Sequence, residues 1–440
     1  VGNNDRRSKI LKKNIYIGTF SKLISIIVSF ALIKEYINLL GTDVYGLWVT
    51  LFSIVSWVNI ADVGIGNGLK VKLSEYLAKN NYTKAREYII TSYVVIGIIS
   101  GVIFVVFFIL NNYFLVSNFF NVKNSLANEV NKSFLFLMIS LLAGLAINLY
   151  KPLLISIHKS SYINIIYAAQ QLLILIVVLS IKGISTISIV DIALINSIIP
   201  IVTGCLVTFL FFKNIPSLVP FINDYSINKV KDITSFGGKF FLIQISAIII
   251  FTTDNTIIAK MISSDAVTSY DLVFKLFQNI IVIWYLVSSP LMALFSEAFY
   301  KNDFFWIIGT IKKLNFVFLF LIIGVFLLIP LSPYIIKVWI GYNINIPVML
   351  PLYFGLFVLL RIYSDLYLTF LNAVGKLNIQ LIISIIGAVI NIPLSIFFIK
   401  YLDMGSHGVI LATCISIFPL VIITPIQTYL FLKYNKSNRE

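Results

Sequence analysis

The chain has 440 residues, 59% of them hydrophobic and only 12% charged, with a mean hydropathy of +0.97. Soluble domains carry about 25% charged residues, so water is excluded as the main solvent and little sequence is left over for a soluble domain. The formal net charge of +15 therefore raises the question of where basic residues sit relative to a bilayer before it raises nucleic-acid binding.

About 20 apolar residues are needed for one crossing, and the hydrophobic runs predict an all-α integral membrane protein of about twelve spanning helices. In chain order they fall at 14–34, 44–61, 87–110, 133–157, 161–181 and 189–212, then at 236–260, 267–296, 311–333, 347–373, 376–399 and 405–432. Arg6, Arg7, Lys9, Lys12 and Lys13 precede the first run like the basic start of a signal peptide. That run is too long for a signal core, lacks a small-residue cleavage site and is followed by more spans, so it reads as the first helix. A β-barrel would alternate polarity over about ten residues, whereas GVIFVVFFIL and LIIGVFLLIP are apolar on every face. Helices are the other way to satisfy the backbone in lipid.

The placement of Lys and Arg sets the topology. Of the 33, 23 fall in the termini and the loops of one face, 7 on the opposite face, and Lys22, Lys275 and Arg361 lie within spans. The excess places both termini in the cytoplasm. It also makes the positive charge mostly topological and argues against nucleic acid as a partner. The longest cytoplasmic connection, 213–235, contains Pro216 and Pro220 and separates six spans (1–212) from six (236–440). It is the natural linker between two lobes. A weak echo between GTDVYGL, opening the second span, and SSDAVTSYDL, opening the eighth, is what an internal repeat would leave; paired halves are common in transporters.

No enzymatic signature survives inspection. The only histidines, His158 and His407, fall at loop ends on opposite predicted faces, so no His-based metal site is expected, nor any cofactor. Cys205 and Cys414 lie in apolar runs and read as packing residues. The stretch DVGIGNG, from Asp62 to Gly68, lacks the glycine spacing of a phosphate loop; its glycines suit a turn at the membrane surface, with Asp62 interfacial or a gating residue.

What remains is a set of ionisable residues inside apolar spans, each costing at least ~2.5 kcal/mol at the bilayer centre unless paired or hydrated. They are Lys22, Asp254, Asp271, Lys275, Arg361 and Asp365. Asp271 with Lys275, and Arg361 with Asp365, are spaced i, i+4 and so share a helical face. One reading makes each pair a structural bridge, which leaves Lys22 without an obvious partner. The other makes Lys22, Lys275 and Arg361 the lining of a cavity for an anion such as phosphate, with Asp254, Asp271 and Asp365 as charge partners or ion-coupling sites. For Asp254, a polar cap in the TTDN stretch is an alternative. Tyr363 and Tyr367, beside the Arg361 and Asp365 pair, are candidates for stacking on a sugar, with lipid or helix packing the alternative; Trp48, Trp339 and Tyr342 suit interface anchors.

The stretch LLGTDVYGLWVTLFSIVSWVNIADVGIGNGLKVKLSEYLAKNNYTKAREYIITSY resembles the signature of bacterial polysaccharide flippases of the Wzx type, and FTTDNTIIAKMISSDAVTSYDLVFKLF is similar to that family's seventh and eighth helices. The resemblance implies the multidrug, oligosaccharidyl-lipid and polysaccharide exporter superfamily, with two pseudo-symmetric six-helix lobes in a V around a central cavity. It implies a location in the bacterial inner membrane among membrane lipids. The substrate implied is an O-antigen or capsule oligosaccharide repeat unit on undecaprenyl pyrophosphate, moved to the outer leaflet by alternating access driven by an ion gradient. It further implies a polysaccharide polymerase and a chain-length regulator as partners.

Three rivals stay open on the residues alone. A drug or cation antiporter of the same fold should prefer an acidic cavity, a lipid II flippase usually carries helices beyond twelve, and a membrane polymerase or ligase should carry a large external loop. The longest external loop expected here, Asn111 to Lys132, is about twenty residues and mostly polar.

Overall fold

In the computed structural model the described residues are 2–58, 64–113, 115–120, 122–157, 159, 161–182, 187–235, 238–300 and 302–437. Among them there are helices and turns but no strand. The chain separates into two compact units, Val1–Phe241 and Leu242–Glu440.

The first unit holds α1 (Gly2–Ser56), α2 (Ile65–Ala78), α3 (Tyr82–Tyr113), α4 (Val116–Phe119), α5 (Asn124–Ile147), α6 (Tyr150–Ser156), α7 (Ser161–Ile181), α8 (Ile189–Asn214) and α9 (Asn228–Ser235). The second holds α10 (Gly238–Met261, whose first turn lies at the division), α11 (Ser264–Tyr300), α12 (Phe304–Ile340), α13 (Met349–Ala373), α14 (Asn378–Leu402) and α15 (Ser406–Ser437).

Among the described residues ten helices are long and apolar enough to cross a bilayer. Two further spans account for the expected twelve. The first of the ten runs 40 residues from Ile17 to Ser56, ~60 Å at 1.5 Å per residue and twice a hydrocarbon core. It is two helices meeting at Gly41, whose φ of 75° and ψ of 169° interrupt the helix. The other is α10, long enough to span at 24 residues but made less apolar by Thr252, Thr253, Asp254, Asn255 and Lys260.

Large apolar side chains face outward along the spans, including Phe104, Phe108, Phe316, Phe320, Phe326 and Leu327, each more than 40% exposed. Such a surface would aggregate in water and is matched to lipid. Burial sorts the helices of the second unit: only 11% of the most apolar window of α12 is buried, against 61% for α13. Thus α13 is the core helix, and α11, α12 and α15 each pack on it. Close approach is visible where α14 meets α15, since a Cβ at Gly387 would lie 2.8 Å from the Ser416 carbonyl oxygen. Small residues at such crossings let membrane helices pack without a hydrophobic drive between them.

Four segments expected as loops are largely helical, among them the external loop Asn111 to Lys132, which holds the end of α3, all of α4 and the first turns of α5. The second-to-third connection contains α2, which opens after Gly64 at φ 75° and buries Ile65, Leu69 and Leu73 against Tyr88 and Phe211. Asp62 and His158 lie outside the described residues. The loop expected between the eighth and ninth spans is largely absorbed into α11 and α12, each of 37 residues. The connection 213–235 contains two short 3-10 turns and α9, and it is tied to the start of α3. Arg86 pairs with Asp224 at 3.2 Å, Lys229 with Glu87 at 3.6 Å, and the Tyr88 hydroxyl donates to Asp232 at 2.9 Å. With Leu218 fully buried in the same apolar cluster, this segment is a docked strap of the first unit rather than a free linker.

The Gly41 conformation is one that essentially only glycine adopts, and holding another residue there costs about 1–3 kcal/mol. The Gly41→Ala protein should therefore unfold at lower temperature in detergent by that margin, although open space surrounds the position. An unchanged unfolding midpoint would show that the kink does not depend on glycine.

Candidate functional site

Most of the ionisable residues expected inside spans fall in the second unit, because α10, α11 and α13 turn their polar positions toward one another there. Arg361 sits on α13 with its guanidinium carbon 4.9 Å from the centre of the Phe251 ring on α10. Its Nη2 donates to the Tyr285 hydroxyl on α11 at 3.3 Å. A guanidinium over an aromatic face is stabilised by the ring quadrupole, more so where water is scarce. Asp365, one turn on, accepts instead from the Trp284 indole Nε1 at 2.8 Å, and Trp284 is buried. Among the described residues no ion pair joins Arg361 to Asp365. They share a face, as the spacing predicts, but each is held by a neutral group on another helix.

Arg361 and Asp365 line a cavity of about 170 Å³ together with Phe251, Asn372, Gln380 and Ser384. The side-chain amide oxygens of Asn372 and Gln380 are buried there without a hydrogen-bond partner among the described residues. An unmade hydrogen bond at a buried acceptor costs about 1–3 kcal/mol, so a polar occupant is the natural complement. The pocket presents one guanidinium, one carboxylate, two amides and a hydroxyl, a set that can hold an oxyanion and hydroxyl groups side by side.

A second polar cluster adjoins it through Phe251, which lines both cavities. Asp254 on α10 is almost fully buried. Its Oδ2 accepts from the Tyr270 hydroxyl at 2.5 Å and from the Thr413 hydroxyl at 3.3 Å, and Asn391 donates to Thr413 at 3.1 Å. Its Oδ1 has no partner among the described residues, and the cavity beside it, about 20 Å³, admits a single water or small ion. The arrangement is a tertiary cluster drawn from four helices, not the helix cap that TTDN alone allows.

The remaining positions separate from these two. Lys275 is bridged to buried Asp271 at 2.8 Å within α11. Lys22, in the first unit, lies 5.9 Å from the Tyr167 ring centre on α7. Tyr363 and Tyr367 stand on the other side of α13 from Arg361, Tyr363 against Phe318 of α12 at 5.2 Å and Tyr367 donating to Asn315 of α12 at 3.2 Å. Positions two and six residues from Arg361 are rotated about 200° and 240° from it at 100° per residue, so neighbourhood in sequence is not neighbourhood on the helix. Reading only charged residues missed Trp284, Tyr285, Tyr270, Asn372, Gln380, Asn391 and Thr413. Asn372, Gln380 and Asn391 do leave a signal, being neutral polar residues in or beside apolar spans.

No family model matches the chain. It is 27% identical over 371 residues to a Yersinia pseudotuberculosis protein named for O-antigen export, covering 81% of this chain and 82% of that one. It is 25% identical over 417 residues to a Salmonella typhi protein named for O-antigen transport, covering 90% and 92%. Among solved structures it is similar to a multidrug resistance MATE family transporter of the MOP superfamily in its inward-facing conformation, with a TM-score of 0.76, 14% identity and 96% of each chain covered. A MOP superfamily transporter from Pyrococcus furiosus, described as having a binding pocket of reversed polarity that suggests a different function, matches with a TM-score of 0.70 at 14% identity over 97% and 96%. The chain is thus a multi-pass membrane protein with the MATE-like transporter fold, as the resemblance in its sequence implies, and these sequence relatives are named as transporters rather than enzymes.

Proposed function

We propose that this protein is a flippase that moves oligosaccharide repeat units linked to undecaprenyl pyrophosphate from the cytoplasmic to the outer leaflet of a bacterial inner membrane. Both termini lie on the cytoplasmic side, in keeping with the distribution of basic residues. The observation that carries the reading is Arg361: a cation within a membrane span, held by a ring face and a phenol, with no carboxylate bridge among the described residues and with unpartnered amides beside it.

A guanidinium held by neutral groups, with Asp365 nearby but not bridged to it, keeps donors free for an anionic ligand, and its planar fork matches a phosphate or carboxylate group. Phe251 and Tyr285 hold it without neutralising it. Asn372, Gln380 and Ser384 offer hydrogen-bond partners to hydroxyls next to the anion. Lys22 is a second cation resting on a ring, while Lys275 is largely neutralised by Asp271. In this reading Arg361 is the anion contact of the second unit, Lys22 is a cation of the first unit alone, and Tyr363 and Tyr367 act away from Arg361.

Ion coupling falls to Asp254. Asp254 lines a cavity of about 20 Å³ and its Oδ1 has no partner among the described residues, so a proton or a small cation would complete the carboxylate. Because Phe251 lines this cavity and also lies under Arg361, filling one site can move the wall of the other. That is a physical route by which an ion gradient would drive alternating exposure of the substrate site. A drug antiporter of the same fold would use the carboxylates alone and have no need of a guanidinium in the cavity.

Arg361→Ala removes a charge-assisted contact of about 1.5–3 kcal/mol, or roughly 10- to 100-fold in transport. Cells carrying it should lose surface polysaccharide while the protein stays at its usual level in the membrane; normal export, or a selective loss of drug efflux, would reject the assignment. Asp254→Asn should leave binding of the lipid-linked substrate intact but make export indifferent to collapse of the proton or sodium gradient. Retained gradient dependence would remove Asp254 from the coupling role.

A further inference from the structure

Two adjacent residues of α11 hold the two charges of the Arg361 pocket, and they hold them unequally. The Trp284 indole Nε1 donates to Asp365 Oδ2 at 2.8 Å, a separation typical of a charge-assisted bond. Arg361 Nη2 donates to the Tyr285 hydroxyl at 3.3 Å, past the ~3.2 Å limit of a well-formed N–H···O bond. Trp284 is 1% exposed and Tyr285 39%, so the carboxylate is fixed and the guanidinium loosely tethered. Both charges line the cavity of about 170 Å³, whereas Trp284 is not part of its wall and can act on it only through Asp365. The local sequence favours a different arrangement. Arg361 and Asp365 are spaced i, i+4 on α13 and share a face, and a guanidinium and a carboxylate make a stronger contact with each other than with a neutral group. The same spacing on α11 does close, with Lys275 reaching Asp271 at 2.8 Å. Base before acid, the order on α13, is the less favoured sense, but what occupies the Asp365 oxygen is the indole.

We propose that Trp284 is a positioning residue for this pocket: its indole N–H holds the Asp365 carboxylate off Arg361 and so keeps the guanidinium open to an incoming anion. The proposal rests on the reading of Arg361 as the anion contact. Asp365 is the standing competitor for that contact, because it is attached to the same helix face and needs no supply from solution. The two neighbours on α11 sort the charges by their chemistry. An indole N–H is a donor only, so its hydrogen bond can hold the carboxylate and not the guanidinium. The Tyr285 hydroxyl can accept, and it takes the guanidinium. Deleting the indole N–H without changing the shape of the side chain would leave a buried carboxylate oxygen unsatisfied, which is costly. The relief at hand is the Arg361 fork one turn away. The bridge so formed would cancel both charges and close the anion contact.

Chemical modification of Arg361 in the full chain tests this. Phenylglyoxal adds to free guanidinium groups faster than to those bridged to a carboxylate, and peptide mass spectrometry follows the adduct at Arg361. Trp284→Phe should slow that modification roughly tenfold, the scale of one hydrogen bond to a charged group. Benzothienylalanine at position 284, which keeps the indole's shape with sulfur in place of N–H, should do the same at an unchanged unfolding midpoint. Adding Asp365→Asn to either variant removes the competing carboxylate and should restore the rate seen with Trp284. A tryptophan that only fills space would show no such rescue. Unchanged rates in both variants at position 284, or slowed rates that Asp365→Asn does not restore, overturn the proposal. Inorganic pyrophosphate keeps the two readings apart. It should protect Arg361 in the unsubstituted protein and need a concentration about tenfold higher in Trp284→Phe. If it protects neither while the modification rates follow the expected pattern, the assignment of Arg361 to an anion falls and the positioning role of Trp284 stands.

Discussion

The structure depends on the cost of holding charge away from water. A lipid-embedded helix cannot leave an ionised group bare without several kcal/mol of penalty, so each in-span charge described here has been given a specific companion. Asp254 has two hydroxyls, Asp271 has Lys275, Asp365 has an indole, and Lys22 has a tyrosine ring. Arg361 has a ring face and a phenol. The differences among these companions carry the functional argument: an ion pair cancels a charge, whereas a neutral donor or a ring holds it in place and leaves its field available to a ligand.

Neutral companions also explain the order of the helices in the second unit. Because Trp284, Tyr285 and Phe251 come from α10 and α11 while Arg361 and Asp365 come from α13, the polar contacts can form only if α13 is central and the other two pack against it. The same placement leaves α12 and α15 on either side of α13's far face. One helix thus presents an ionic face to α10 and α11 and a tyrosine-lined face to α12. In the first unit the equivalent ordering is done by apolar burial, with the segment 213–235 drawn onto the base of α3 by two ion pairs and a buried leucine.

Much of this architecture was legible in the sequence. Apolar runs are long because lipid tolerates little else, and the predicted spans fall on helices among the described residues, 14–34 and 44–61 sharing α1 and 133–157 divided between α5 and α6. Helices lying outside the spans were not legible: α2 and α9 are short and mixed in polarity, and the burial of α2 against Tyr88 and the polar ties of α9 to α3 through Lys229 and Asp232 are tertiary facts. The i, i+4 spacing correctly put Arg361 and Asp365 on one face but could not show that Trp284, 81 residues from Asp365, outcompetes the local pairing. For Asp271 and Lys275 the local pairing does form. The separation of Tyr363 and Tyr367 from Arg361 was available from helical periodicity alone.

The central claim is that a guanidinium inside the membrane, not bridged to a carboxylate, selects a lipid-linked anion for transport. The direct measurement is translocation by the purified protein in liposomes bearing an imposed ion gradient, comparing one oligosaccharide attached to a polyprenyl pyrophosphate with the same oligosaccharide on an uncharged polyprenol. The account predicts saturable movement of the pyrophosphate-linked form and little of the uncharged one. Equal rates for the two lipids would contradict it.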